Sequence, residues 1–415
     1  MKVSRERLSV IGRMIGIYRE ERRGNSQNVW TQLKFCEDIC STNTLKNIEA
    51  GGVARSMEVY EKLLEKFDLK LGEFPLIDEA VDGLIDELYI AIEYYDDTKI
   101  FSVTIRALKL LDKVKHYVYY SQLNEIFLDI RNYYKIDLII DVDKIERYSK
   151  VCGYFGDKLK DLLILLMFAR IKMKSISSYK EYENFIKDFD LENNLYPVIK
   201  LSVLHYYYVS KQRFLMMEKI ELIEKDLVCT NNFNRLADAY CFSVVMLSDV
   251  DNSKSLNYIK KVDKLIESNK LSRVKIAEVS ANIATYYYNK KDYENTLMHL
   301  YKAIDNDCTD LLSTYIIVAN CQNHLNITIN IPKLSKREMN KYPNDLRIMY
   351  QYFCFIQDGD VPPFVKIKMI MKHILPLLHD ELLIDVFRFE LNKLVEETNS
   401  YKTLYLFDNT IKERF

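Results

Sequence analysis

Residues 280–293, SANIATYYYNKKDY, carry the clearest structural pattern in this chain. The small Ala284 is followed one helical turn later by the bulky Tyr287, which predicts a helix that a neighbour can approach closely. Asp292 is placed to start a second helix, and Ala303 lies on the face of that helix that we expect to be buried. The segment therefore predicts two helices that pack against each other.

Similar helix pairs are predicted on both sides of this segment. Apolar residues recur at spacings of three and four through 84–95 and 100–114. The further predicted pairs are 158–174 with 178–190, 195–210 with 213–228, 232–248 with 252–268, 274–289 with 292–306, 309–324 with 332–341, 344–357 with 362–378, and 380–398 with 400–413. These pairs begin 35 to 42 residues apart. One pair cannot bury its apolar face alone, so the spacing predicts a stack of repeats.

The composition favours an all-α fold. The 415 residues are 48% hydrophobic and include 31 Tyr and 19 Phe, which is enough for a sizeable core. Only 10 glycines and 7 prolines are present, and a β-sandwich, a barrel or a glycine-looped nucleotide fold needs more turn residues than that. The chain is therefore predicted to be almost entirely helical.

Glycine and charge divide the chain unequally. Seven of the 10 glycines fall within the first 83 residues, and residues 1–34 carry 8 basic and 3 acidic side chains. A small basic unit at the front of a mildly acidic body suggests an anionic partner for that unit. We predict a first domain over 1–72, a linker over 73–82 and a helical-repeat domain over 83–415.

Residues 9–71 are predicted to form five short helices. In the first, Ser9–Arg23, the residues Ile11, Ile15 and Tyr18 share one face. The basic side chains of this helix fall elsewhere on its surface: Arg13, Arg19, Arg22 and Arg23. A second helix is predicted from Ser26, as its N-cap, through Trp30.

The third predicted helix of this unit is Thr42–Glu49. Ser41 or Thr42 is placed to cap its start, and Ala50-Gly51-Gly52 ends it. Leu45 and Ile48 are three residues apart and should face inward. The side chains expected to face outward are short and polar or basic: Asn43, Thr44, Lys46 and Asn47. A fourth helix is predicted over Met57–Phe67.

This order of helices resembles the lambda-repressor-like helix-turn-helix domain of the Xre type. The resemblance rests on the residues around Ile11-Gly12, Tyr18-Arg19, Ser26-Gln27 and Thr44-Leu45 through Gly51. Such a domain presents the start of its third helix to the major groove of DNA. The predicted DNA-binding residues are Ser26, Gln27, Thr42, Asn43, Thr44, Lys46, Asn47 and Arg55.

The segment around Ala284 resembles the tetratricopeptide consensus, which implies a right-handed α-solenoid. An Xre-like domain followed by such an array resembles the Rap–Rgg–NprR–PlcR–PrgX family of peptide-pheromone receptors, and its DNA-binding members most of all. The resemblance implies a homodimeric, cytoplasmic, quorum-sensing transcription regulator that binds operator DNA. A short signal peptide in the groove of the array would switch it.

An extended peptide needs hydrogen-bond partners for its backbone, and an asparagine side chain offers one acceptor and two donors. Asn282 lies on the first helix of the clearest repeat, two residues before the small Ala284. The weaker predicted peptide-binding residues are Tyr288, Asn289, Asn320, Tyr240 and Tyr207. A tyrosine in such an array is more often a packing residue than a ligand contact.

The alternative that the resemblance leaves open is a protein that sequesters a signalling partner, or acts as a response-regulator phosphatase, through its repeats. No phosphate loop, zinc-protease motif or nucleophile elbow occurs, so we expect no enzyme, no cofactor and no metal. Cys36 and Cys40 are expected to be core residues, with a redox-sensing pair as the alternative. The longest clean apolar run, 162–169, is too short to cross a bilayer, and we expect no contact with a membrane.

Overall fold

The protein is helical throughout the part that the structure describes. The computed structural model describes residues 3–25, 29–136, 138–174, 179–248, 251–359 and 361–414. These ranges contain 22 α-helices and no β-strand, and an isolated bridge joins Lys70 to Tyr117. The prediction of an all-α fold is confirmed.

The chain divides into two compact units, Met1–Arg235 and Leu236–Phe415. The division falls inside one helix, Phe233–Leu247. The predicted domains 1–72 and 83–415 do not coincide with these units, because the first unit includes the beginning of the predicted repeat array. The domain boundaries stay a prediction.

The first unit begins with four helices and continues with longer ones. The first four are α1 (Arg5–Asn25), α2 (Gln32–Phe35), α3 (Thr42–Glu49) and α4 (Met57–Glu65). The others are α5 (Pro75–Glu93), α6 (Asp97–Leu111), α7 (Val118–Ile136), α8 (Val142–Val151), α9 (Asp157–Lys174), α10 (Tyr179–Asp188), α11 (Pro197–Val209) and α12 (Arg213–Cys229). The predicted five short helices over 9–71 are wrong in number, since the described residues of that range form four.

The second unit contains most of α13 (Phe233–Leu247) and all later helices. These are α14 (Asn252–Glu267), α15 (Arg273–Asn289), α16 (Tyr293–Ile304), α17 (Leu311–His324), α18 (Lys336–Met339), α19 (Asn344–Gln357), α20 (Pro363–Met369), α21 (Glu381–Thr398) and α22 (Tyr401–Lys412). The predicted helix over 362–378 is composite: α20 continues as a π-helical turn, Ile370–Ile374, and a 3-10 turn, Leu375–Leu377. Pro376 lies in that last turn and has no N–H to continue an α-helical hydrogen-bond pattern.

In the second unit, helices that follow each other in the sequence pack against each other. Contacts join α14 to α15, α15 to α16, α16 to α17, α17 to α19, α19 to α20, α20 to α21 and α21 to α22. The core of this unit is aromatic, because Tyr350, Tyr352, Phe353 and Phe387 are fully buried. Such side chains bury a large apolar area each and account for a substantial part of its stability.

The low glycine content is explained by how the helices end. Lys211, Asn231 and Lys291 adopt the left-handed conformation at the ends of α11, α12 and α15, with φ between 54° and 59°. The residue that follows each of them donates its backbone N–H to a carbonyl five residues earlier, as Asp292 does to Tyr287 at 3.0 Å. This is the Schellman turn, in which glycine is usual. Here longer side chains occupy the glycine position.

The first residues pack on α5 and α7 of the same unit. The Ser4 hydroxyl donates to Glu73 at 2.9 Å, and the Arg7 guanidinium donates to Asp78 at 3.0 Å. The Tyr18 hydroxyl donates to the side-chain oxygen of Gln122 at 2.9 Å. These contacts tie the predicted DNA-binding domain to the helices that follow it.

The predicted linker, 73–82, is mostly helical. Pro75 is the first residue of α5, where its missing N–H costs no helical hydrogen bond. Just before it, the Phe74 N–H donates to the Tyr120 hydroxyl at 2.8 Å. Non-helical chain is confined to the few residues between α4 and Pro75.

Candidate functional site

Helix α3 has the bounds predicted for it and is capped as the sequence indicates. Of the two candidate caps, Ser41 is the one used: its hydroxyl accepts the Thr44 N–H at 3.1 Å. Leu45 and Ile48 are fully buried, and they anchor the helix to the core. Asn43, Lys46 and Asn47 are exposed. The helix therefore presents short polar and basic side chains on one surface.

The remaining predicted DNA-binding residues are placed as follows. Thr42 and Thr44 are half-buried, and the Thr44 hydroxyl shares a hydrogen bond of 2.9 Å with the Ser41 hydroxyl. Arg55 is exposed in the segment between α3 and α4. Ser26 and Gln27 lie outside the described residues.

A close backbone approach sets the position of α3 against α1. A Cβ atom added at Gly12 would lie 2.4 Å from the Ile48 carbonyl oxygen, so only glycine allows this contact. At the end of α3, Gly51 has a φ of 91°, in the left-handed region. Its N–H donates to the Ile48 carbonyl at 2.8 Å, which ends the helix.

A buried ion pair connects α1 and α3. The Arg19 guanidinium donates to both carboxylate oxygens of Glu49, at 2.5 and 3.0 Å, and only 2% of the Arg19 side chain is exposed. Glu49 also accepts from the Gln32 amide of α2 at 2.9 Å. Of the four basic residues predicted to fall away from the apolar face of the first helix, Arg19 is therefore buried, because it pairs with a carboxylate on α3.

Of the predicted second helix, residues 26–28 lie outside the described residues. Val29 and Trp30 lie in a turn, and the helix of this region is α2, preceded by Thr31. The Trp30 ring stacks on Phe67 with centroids 5.3 Å apart, and its carbonyl accepts from Arg19 at 3.1 Å. These tertiary contacts hold the turn, whereas the sequence pattern carried only the local preference for a cap at Ser26.

Cys36 and Cys40 are neighbours in the segment between α2 and α3. Cys36 is buried and Cys40 is half-buried, and both are free thiols. Burial raises the pKa of the Cys40 thiol, and the adjacent Cys36 raises it further. A raised pKa lowers the thiolate fraction, which makes the pair less reactive. These observations favour a core role for both residues.

The second unit contains a cavity of about 640 Å³, within the range of ligand clefts. It is bordered by α15 along nearly its whole length, by the first half of α17 and by the starts of α19 and α21. Its apolar lining includes Val274, Ala277, Ala281, Ala284, Ile317, Leu346, Leu382 and Leu383. Its polar lining includes Glu278, Asn282, Thr285, Tyr288, Asp310, Ser313, Thr314, Asp345 and Asp380.

Two predicted peptide-binding residues, Asn282 and Tyr288, line this cavity. Asn282 is exposed on α15, and no hydrogen bond holds its amide among the described residues. Tyr288 is 8% exposed, and its hydroxyl donates to Asn320 at 2.7 Å. Asn289 is exposed at the end of α15 and does not line the cavity.

The other predicted peptide-binding residues are buried. Asn320 is inaccessible and donates its amide to Glu390 at 3.3 Å. Tyr207, in the first unit, is 1% exposed and donates its hydroxyl to Glu192 at 2.7 Å. Tyr240 is 4% exposed and has its ring centroid 5.7 Å from that of Tyr258. These three side chains serve helix packing, and we do not assign them to the site.

Sequence reasoning missed a buried carboxylate beneath the cavity. Glu390 on α21 is 3% exposed and accepts from the Asn323 amide at 2.7 and 2.8 Å. Burial raises its pKa to about 7, although hydrogen bonds from Asn323 and Asn320 oppose this shift. Through Asn320, the carboxylate connects to the hydroxyl of Tyr288. A charged residue in an otherwise amphipathic helix gives no local signal of such burial.

No helix in the described ranges is long and apolar enough to cross a membrane. The described residues also contain no group of three or more His, Cys, Asp or Glu side chains placed to hold a metal ion. Comparison with known proteins found no matching family model, no similar curated protein and no similar solved structure.

Proposed function

We propose that this protein is a cytoplasmic, DNA-binding transcription regulator of the quorum-sensing type, controlled by a short peptide. The observation that carries the proposal is the arrangement of α3. Its buried Leu45 and Ile48 fix the helix, while Asn43, Lys46 and Asn47 stay exposed on the opposite surface.

The exposed side chains of α3 have the chemistry of base recognition. Asparagine forms paired hydrogen bonds with adenine, and lysine donates to O6 and N7 of guanine. Both residue types reach base edges when a helix lies in the major groove. The exposed Arg55, which follows α3 by six residues, is suited to a phosphate contact.

The second unit supports the peptide half of the proposal. Its helices pack in sequence order, and α15 ends in the same Schellman turn that ends α11 and α12 in the first unit. Recurrence of one turn between consecutive helices supports a helical-repeat architecture of the tetratricopeptide type. Asn282 supplies the cavity with an amide that can bond both the N–H and the carbonyl of one peptide residue.

The last helix supports a homodimer. Tyr401, Tyr405 and Leu406 on α22 are 60%, 66% and 47% exposed. Large aromatic side chains are enriched in protein interfaces, and a twofold dimer would match a palindromic operator. Tyr405→Asp should convert the dimer to a monomer in light scattering; a dimer of unchanged mass would place the interface elsewhere.

The proposal is tested by mobility shift of the DNA that precedes the coding sequence, at low and at moderate salt. Wild-type protein should bind with an affinity that falls steeply with salt. Lys46→Ala combined with Asn47→Ala should weaken binding by ~1–3 kcal/mol for each lost base contact. The matched control is Lys113→Ala, which removes the same charge from an exposed lysine that follows α6. Equal affinity of the α3 variant and the control would contradict the proposal.

A further inference from the structure

Among the described residues, the cavity in the second unit is lined by carboxylates and by no basic side chain. Five acidic residues border it: Glu278, Asp307, Asp310, Asp345 and Asp380. Three of them are already engaged. Glu278 accepts from Lys275 at 2.6 Å, Asp307 lies 3.2 Å from Arg273, and Asp380 accepts the Leu383 N–H at 3.0 Å.

Asp310 and Asp345 remain available to a ligand. Asp310 occupies the N-cap position of α17, where an aspartate usually accepts a backbone N–H, but its side chain forms no such bond. Asp345 is half-buried in the first turn of α19. Neither carboxylate has a hydrogen bond or an ion pair among the described residues.

The surrounding charges favour a cation over an anion. The first turns of α17, α19 and α21 border the cavity, and each helix start contributes about half a positive elementary charge. Each of these starts also carries an aspartate, whose full negative charge outweighs that contribution. We do not assign a metal ion to this cavity, because the described residues contain no group of three or more side chains placed to bind one.

We propose that the peptide bound in this cavity carries a positive charge, which Asp310 and Asp345 hold. This inference rests on the proposed function and names the chemical class of its ligand. The charge is either an amino-terminal ammonium or a lysine or arginine side chain. Each of these groups would donate charged hydrogen bonds to the two carboxylates. The apolar wall formed by Ile317, Leu346 and Leu382 takes the uncharged part of the peptide.

The test uses the full chain and positional-scanning hexapeptide mixtures, with one position fixed as arginine, lysine, glutamate or leucine. Each mixture is made with a free and with an acetylated amino terminus, and binding is read from the thermal midpoint and by calorimetry. We expect arginine- or lysine-fixed mixtures, or those with a free terminus, to bind best. The acetylated arm distinguishes the terminal ammonium from a side chain.

The variant Asp310→Asn with Asp345→Asn keeps the shape of both side chains and removes their charge. It should lower the affinity for the best mixture by roughly tenfold or more, because a hydrogen bond to a charged group is lost. Glu294→Gln, an exposed carboxylate on α16 outside the cavity, is the matched control and should not change it. The unliganded midpoints of both variants establish that they are folded.

The outcomes separate this inference from the proposed function. If glutamate- or leucine-fixed mixtures bind best, or if the double variant binds as the control does, the charge assignment is overturned and a peptide receptor remains. If no mixture binds to the wild-type protein, the peptide-receptor function is contradicted together with the inference.

Discussion

The guanidinium of Arg19 on α1 and the carboxylate of Glu49 at the end of α3 form two parallel hydrogen bonds inside the first unit, at 2.5 and 3.0 Å. The same guanidinium donates to the Trp30 carbonyl, and the same carboxylate accepts from Gln32. One ion pair thus joins α1, α2 and the turn before α2 to the helix that we propose reads DNA. The orientation of α3 depends on it.

Replacing Arg19 by methionine should lower the free energy of unfolding of this region by about 3–5 kcal/mol, because the largely buried carboxylate of Glu49 would lose its positively charged partner. Trp30 is the single tryptophan of the chain and lies next to the pair, so its fluorescence during urea unfolding reports this region. Arg23→Met, at an exposed position of α1, should change stability by no more than about 0.5 kcal/mol. Identical urea midpoints for the two variants would show that the pair is not structural.

Gly12→Ala should destabilise the contact between α1 and α3. The added methyl group would lie 2.4 Å from the Ile48 carbonyl oxygen, and overpacking of this kind costs about 1–3 kcal/mol. A methyl group added at Gly83, inside α5, would have no atom within 4 Å, so Gly83→Ala should instead stabilise the protein by about 0.5–1 kcal/mol. Thermal unfolding of both variants checks the prediction, which requires the midpoint to fall in Gly12→Ala and to rise in Gly83→Ala.

Lys291 has a φ of 59° in the Schellman turn that ends α15. Because this conformation costs a residue with a side chain about 1–2 kcal/mol, Lys291→Gly should raise the thermal midpoint of the second unit. Lys291→Val should lower it, since a β-branched residue is least tolerant of a positive φ. The thermal unfolding of both variants is followed by circular dichroism at the helix minimum. A higher thermal midpoint for Lys291→Val would contradict a fixed left-handed conformation at this residue.

Burial raises the pKa of Glu390 to about 7 from an ordinary value of 4.5. The folded protein therefore holds this proton more tightly than the unfolded chain does, and the associated stability is present below about pH 4.5 and lost as pH rises through about 7. Over that window the loss is of the order of 3 kcal/mol. Glu390→Gln should flatten the decline in unfolding free energy between pH 5 and 8. Glu397→Gln, exposed on the same helix, should keep the wild-type pH dependence.

Helix α3 was predictable because its determinants are local. A serine cap, two apolar residues three apart and a glycine after the last turn are sufficient to define its ends, and its anchors Leu45 and Ile48 are buried as predicted. The helix pair α15 and α16 was predictable for the same reason. Asn282 and Tyr288 follow from it, since their positions on α15 place them at one cavity.

The features that sequence reasoning missed depend on distant partners. Helix α7 was not predicted, because Gln122 and Asp129 interrupt its apolar pattern although both are buried. The side-chain oxygen of Gln122 accepts from Tyr18 of α1 at 2.9 Å, and Asp129 accepts from Lys144 of α8 at 2.7 Å. The burial of Asn320 likewise depends on Glu390, 70 positions further along the chain. A periodicity analysis treats such residues as exposed.

Whether α3 reads DNA is tested directly by selecting binding sites for the 415-residue chain from a pool of randomised DNA duplexes. We expect an enriched palindrome with half-sites one helical turn, roughly 10 base pairs, apart. We also expect that the variant with alanine at Asn43, Lys46 and Asn47 fails to enrich it. No enriched sequence, or the same sequence enriched by that variant, would contradict the claim that α3 reads DNA.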